Sequence, residues 1–114
     1  MIKCYGDKKL SKTGSHRKAM FKNMMTSLIM NEKIVTTSAK AKELRRFFDK
    51  LVNDAKKNNY LKLKSEISDK SAFKKLIGVL APRYKDRVSG YTTLINVGYR
   101  RGDNSLLTMV KLVD

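Results

Sequence analysis

At 114 residues the chain has the length of a single domain with a modest core. Its 26 Lys and Arg against 10 Asp and Glu leave a net charge of +16, well beyond the magnitude of about 2–8 that suffices for solubility in a small domain, so an anionic partner must offset the self-repulsion. One cysteine, Cys4, and one histidine, His16, exclude an internal disulfide and an ordinary zinc site, and no run of about 18 apolar residues is present to span a membrane.

Nucleic acid is therefore the first candidate partner and an anionic membrane surface the second. The polar, basic N-terminus lacks the apolar core of a secretory signal, so the cytoplasm is the expected compartment. Residues 1–14 (MIKCYGDKKLSKTG) have neither helical nor strand period. They read either as a disordered tail or as an arm whose Lys8, Lys9 and Lys12 replace counterions on phosphate. Composition leaves both open.

A helix is expected from Ser15, a good N-cap, with Met20, Phe21, Met24, Met25, Leu28 and Ile29 forming a broad apolar face. His16, Arg17 and Lys18 fall in its first turn, where cations are unfavourable for an isolated helix but an external phosphate is welcome. Lys22 follows one turn on. The β-branched run Glu32 to Thr37 (EKIVTT) predicts a short strand.

The stretch from Thr36 to Lys57 organises the chain. Ala41, Leu44, Phe48, Leu51, Val52 and Ala55 fall on one arc about 100° wide, as a core-facing helix requires. Lys42, Arg46, Lys50 and Lys57 lie opposite, flanked by Arg45 and Lys56, and Thr37 or Ser38 can cap the start. Solvation alone explains one such cationic face, with Glu43, Asp49 and Asp54 spaced to pair with Arg46, Arg45 and Lys50. The charge elsewhere favours a polyanion.

Asn58 to Ser68 reads as a connector, with Leu61 and Leu63 alternating as in a brief extended piece. A third helix is expected near Ser68, burying Ala72, Phe73, Leu76, Ile77 and Leu80, and Ala81-Pro82 should end or kink it. The loop from Pro82 to Tyr91 interleaves Arg83, Lys85 and Arg87 with Tyr84 and Tyr91. That pattern suits RNA, cations meeting phosphates while flat rings stack on splayed bases; tyrosines tucked onto the core are the other reading. The remainder predicts a β-hairpin: Tyr91 to Tyr99 with Ile95, Val97 and Tyr99 on one face, a turn at Arg100 to Ser105, and a return strand from Leu106 to Val113. Arg100 and Arg101 at its tip are suited to bidentate phosphate contacts.

Four stretches together carry a resemblance: LSKTGSHRKAMFKNM (Leu10 to Met24), IVTTSAKAKELRR (Ile34 to Arg46), LAPRYKDRVSGYT (Leu80 to Thr92) and GYRRGDNSLLTMVKLVD (Gly98 to Asp114). In this order and over nearly the whole chain, the sequence resembles bacterial large-subunit ribosomal protein seventeen. The resemblance implies an RNA-bound structural protein, a small sheet covered by helices, and an arm and first helix lying against ribosomal RNA. Lys12 stands where that family commonly has arginine, Ser89-Gly90 where it has two glycines, and Thr93 where arginine often follows GYT.

The expectation is one compact α+β domain over residues 15–114, with about three helices packed on a sheet of about three strands, behind a basic arm at residues 1–14. The residues expected to meet RNA are Lys8, Lys9, Lys12, His16, Arg17, Lys18, Lys22, Lys42, Arg45, Arg46, Arg83, Tyr84, Arg87, Arg100 and Arg101. Large-subunit ribosomal RNA and neighbouring large-subunit proteins are the expected partners, with no cofactor, metal, membrane or small-molecule substrate. No catalytic constellation emerges: Ser15-His16 has no acid placed to orient the imidazole, and neither a GxxxxGK[ST] loop nor a GxGxxG turn is present. The alternative is a free-standing DNA-binding or nucleoid protein, but its base-reading residues would be concentrated on one helix face rather than dispersed.

Overall fold

The organising stretch forms α2, Ser38–Lys56, in a computed structural model that describes residues 14–113. All six residues of the expected stripe are buried, with Leu44, Phe48, Leu51 and Val52 fully excluded from solvent, while Lys42, Arg45, Arg46, Lys50 and Lys57 are exposed. Thr37 occupies the N-cap position with extended angles, but its hydroxyl makes no capping bond.

Before α2 come α1, Gly14–Asn31, and β1, Lys33–Thr37. The first helix begins one residue ahead of Ser15 and buries Phe21, Met25, Leu28 and Ile29, with Met20 and Met24 packed at the margin. It stops at Glu32, whose left-handed φ of 63° turns the chain into β1 and whose N–H still donates to Leu28 O at 2.7 Å. Glycine is the usual residue at such a stop.

Residues 58–68 are not the expected connector. Tyr60–Glu66 is a helix, α3. The period that matters is Tyr60, Leu63, Ile67, which buries Leu63 and Ile67 against the core and leaves Leu61 85% exposed. The alternation of Leu61 and Leu63 is therefore incidental. Next is α4, Lys70–Lys75, capped by Asp69, whose Oδ1 accepts from the N–H groups of Ser71 (2.8 Å) and Ala72 (3.2 Å). Its run continues through a π-helical stretch, Leu76–Leu80, and a closing turn, Ala81–Arg83, so Pro82 lies in the last turn and the helical segment ends one residue beyond it. The N–H of Ala81 reaches back five residues to Leu76 O. This widened turn comes just before the residue that has no N–H to donate, and it sits where an unwidened helix would clash with the proline ring.

Two strands, β2 (Thr92–Tyr99) and β3 (Leu106–Leu112), complete an antiparallel sheet in the order β1-β3-β2. Ile34, Val110 and Leu94 share one level of the register, as do Thr36, Thr108 and Asn96. Thr108, Val110 and Leu112 are buried and mark the face that the helices cover. Val35, Met109 and Ile95 lie on the opposite face, where Val35 and Ile95 remain exposed. A bulge falls between Asn96 and Gly98, so that Tyr99 pairs with Leu106. One extra residue reverses the alternation. Tyr99 consequently leaves the face of Ile95, contrary to the simple two-residue period. Gly98 has a φ of 133°, which a residue with a Cβ adopts only under strain.

Over the described residues the architecture is one α+β domain with four helices on a three-stranded sheet. The expected third helix is α4, and α3 is the addition.

Candidate nucleic-acid interface

Because the core takes one face of each helix, the cations are pressed outward on several elements at once. On α1, Arg17 and Lys22 are half-buried at their bases while His16 and Lys18 are exposed. On α2, Lys42, Arg45, Arg46 and Lys50 line the outer side. Arg46 Nη1 is 3.1 Å from Oε1 of the buried Glu43, the expected pair, and this aims its guanidinium along the helix surface. The other two expected pairs are replaced. Asp54 takes Lys62 of α3 at 3.3 Å, since α3 folds back beside it, and Asp49 accepts the N–H of Tyr91 at 3.4 Å.

The loop after α4 is fastened rather than free. Tyr84 is 1% exposed, its ring tilted against Tyr91 at 5.1 Å between centroids, and its hydroxyl donates to Val113 O. Neither of these rings has a face for a base, so the expected contact of Tyr84 with RNA gives way to the core reading. Burial also pushes the Tyr84 phenol above its ordinary pKa. Tyr91 is the second peg. Its hydroxyl has Asn53 Oδ1 (2.6 Å), Val88 O (3.0 Å) and Arg87 O (3.1 Å) in reach and accepts from Lys56 Nζ (3.0 Å). Lys56 also donates to Arg87 O. This lysine therefore points inward and ties the loop to α2, leaving the α2 cationic side to its neighbours. Arg87 stays exposed with Nη1 3.4 Å from Gly90 O. Gly90, with φ of 72°, is the position of the Ser89-Gly90 pair that needs glycine; Ser89 has no positive φ.

Arg83 and Arg100 are already engaged. Arg83 Nη1 lies 2.8 Å from Glu32 Oε1, and Lys75 Nζ lies 3.0 Å from Glu32 Oε2. These two hydrogen bonds hold the Glu32 carboxyl at about 2, well under its ordinary 4.5. Arg100 grips Asp103 through Nε (3.1 Å) and Nη2 (2.5 Å), which keeps that carboxyl far below the usual range. Asp103 also accepts from Ser105 N, and Gly102 and Asn104 take the positive φ values that the turn needs. Arg100 thus shapes the hairpin turn, and Arg101 beside it is exposed. Lys8, Lys9 and Lys12 lie outside the described residues.

Sequence reasoning missed three features. Glu32 reads as a strand residue but is a node joining α1, β1 and α4. Lys56 reads as a flank of the cationic face but is a structural donor. Ser65 and Glu66 come to stand beside α1 only because α3 is helical; the spacing of Tyr60, Leu63 and Ile67 was the available signal. Among the described residues no group of three or more His, Cys, Asp or Glu is placed to hold a metal, and no helix is long and apolar enough to cross a membrane.

Comparison with known proteins adds the family. The family described as Ribosomal protein L17 matches residues 20–113. The chain is 52% identical to the large ribosomal subunit protein bL17 of Elusimicrobium minutum (strain Pei191) over 114 residues, all of both chains. It is 51% identical to that of Rhodopseudomonas palustris (strain BisB5) over 110 residues, 94% of this chain and 81% of the relative. With that of Endomicrobium trichonymphae it shares 47% over 116 residues, 99% of each.

Proposed function

The chain belongs to the ribosomal protein L17 family, and from that membership we propose that it is a structural, non-enzymatic constituent of the large ribosomal subunit that binds ribosomal RNA and stabilises its fold during assembly. It acts in the cytoplasm as part of the ribosome, beside neighbouring large-subunit proteins. The observation that carries the RNA contact is the placement of solvent-accessible cations on separate elements, with the apolar faces of α1 and α2 buried behind theirs. Arg17, Lys18 and Lys22 stand on α1, Lys42, Arg45 and Arg46 on α2, Arg87 on the loop and Arg101 at the hairpin turn.

Phosphates are neutralised by these side chains with release of their counterions. His16 at the start of α1 adds a donor, and the arm of residues 1–14 extends the set with Lys8, Lys9 and Lys12. Arg83 and Arg100 contribute through the segments they brace. Several RNA strands meeting one rigid body on different sides are held together, which is the chemical content of an assembly role.

Crosslinking the protein in cell extract and sequencing the attached nucleic acid tests the reading. Large-subunit ribosomal RNA is the expected product. Recovery of chromosomal DNA in its place would transfer the function to the nucleoid.

A further inference from the structure

We propose that a cleft between α1 and α3 receives one unstacked, amino-bearing nucleotide (adenine, cytosine or guanine) of the bound RNA, an inference that rests on the RNA-binding reading above. The cleft measures about 400 Å³, within the range of about 300–1,000 Å³ typical of small-ligand sites. Its floor is apolar and aromatic: Phe21, Met25 and the half-buried Phe47, the two rings 4.9 Å apart at 47°. Arg17, Lys18 and Lys22 form one rim, and Ser65 and Glu66 of α3 face them. Three cations to one carboxylate select an anionic ligand, while an aromatic floor selects one with a flat apolar body. A nucleotide has both, and RNA readers commonly stack splayed bases on such rings beside cations that hold the phosphate.

Glu66 narrows the choice. It is half-buried at the cleft wall, and among the described residues its carboxylate has no hydrogen-bond or ion-pair partner. An acceptor there matches the exocyclic amine of adenine, cytosine or guanine, whereas uracil offers only its N3–H, set between two carbonyl oxygens that a carboxylate repels. Phosphate on Arg17 and Lys22, base on Phe47 and amine on Glu66 together define the ligand.

The experiment is an amide-resolved NMR titration of the full chain with adenosine 5′-monophosphate, uridine 5′-monophosphate and ribose 5-phosphate. Adenosine monophosphate is expected to give saturable shifts at Lys22, Met25, Phe47, Ser65 and Glu66. Uridine monophosphate should bind there about fivefold more weakly, and Glu66→Ala should erase that difference. Phe47→Leu, which keeps an apolar side chain toward the core, should weaken adenosine monophosphate about tenfold. Equal shifts from ribose 5-phosphate would reduce the cleft to a bare phosphate site and overturn the proposal. So would the absence of saturable shifts in a chain that still binds ribosomal RNA, a result that leaves the broader reading standing.

Discussion

Arg83 holds the carboxylate of Glu32 with both terminal guanidinium nitrogens, Nη1 2.8 Å from Oε1 and Nη2 3.4 Å from Oε2, across 51 positions of chain. The pair joins the corner between α1 and β1 to the end of the helical run that begins with α4, and Lys75 reinforces it. Its pH dependence follows from the lowered carboxyl. A folded-state pKa near 2 against an ordinary 4.5 means that the unfolded chain binds more protons between those values. The stability supplied by the pair is therefore complete above about pH 4.5 and is lost as pH falls toward 2. Glu32→Gln should lower Tm at pH 7, and the two melting curves should converge near pH 2. The side chain is 38% exposed, so the effect is expected to be small and reduced by salt. A difference that persists unchanged at pH 2 contradicts this role for the ion pair.

Phe48 tests the core. It is fully buried on α2, and truncation to Ala removes its ring from the packing of that helix against the rest of the core. A destabilisation of about 3–5 kcal/mol is expected in urea unfolding. An unchanged midpoint would mean that the inward face of α2 is misassigned.

The inward stripe of α2 was legible because six apolar residues at helical spacing leave one solution, and that spacing belongs to the helix itself. The hairpin was legible from its turn residues for the same reason. The errors arise where a distant element decides. Whether Tyr84 stacks on a base or on the core depends on Tyr91 and on Val113 O, 29 positions away. Whether Arg83 meets a phosphate or a carboxylate depends on Glu32. The bulge near Val97 reversed a correct alternation, and in α3 seven residues gave too short a period to outweigh a chance alternation of leucines. Of the candidate interface, the cationic side of α2 was visible, whereas the fastened loop and the cleft beside α3 required tertiary packing.

Thr92 offers a stabilising change. It is 7% exposed, and among the described residues its Oγ1 has no hydrogen-bond partner. Valine keeps the branched shape that a strand favours and removes the unpaired hydroxyl. Thr92→Val should raise stability by about 1 kcal/mol, read from the denaturant midpoint. A drop in stability would indicate that the hydroxyl has a partner after all.

The exposed cations of α2 should separate binding from folding. Lys42→Glu with Arg45→Glu replaces two outward side chains and leaves the buried stripe untouched. Tm should change little, as surface substitutions usually stay within about 0.5 kcal/mol each. Affinity for ribosomal RNA should fall, with the slope of log K against log salt shallower by roughly 0.9 for each phosphate that is no longer neutralised. Intact affinity would remove that face from the interface.

The most direct measurement is the salt dependence of full-chain binding to large-subunit ribosomal RNA. If about six phosphates are neutralised, the log–log slope is roughly −5 by the duplex relation, and affinity falls about a thousandfold between 50 and 200 mM salt. A slope of that size supports a protein held by dispersed cations on a phosphate framework. A flat response contradicts it.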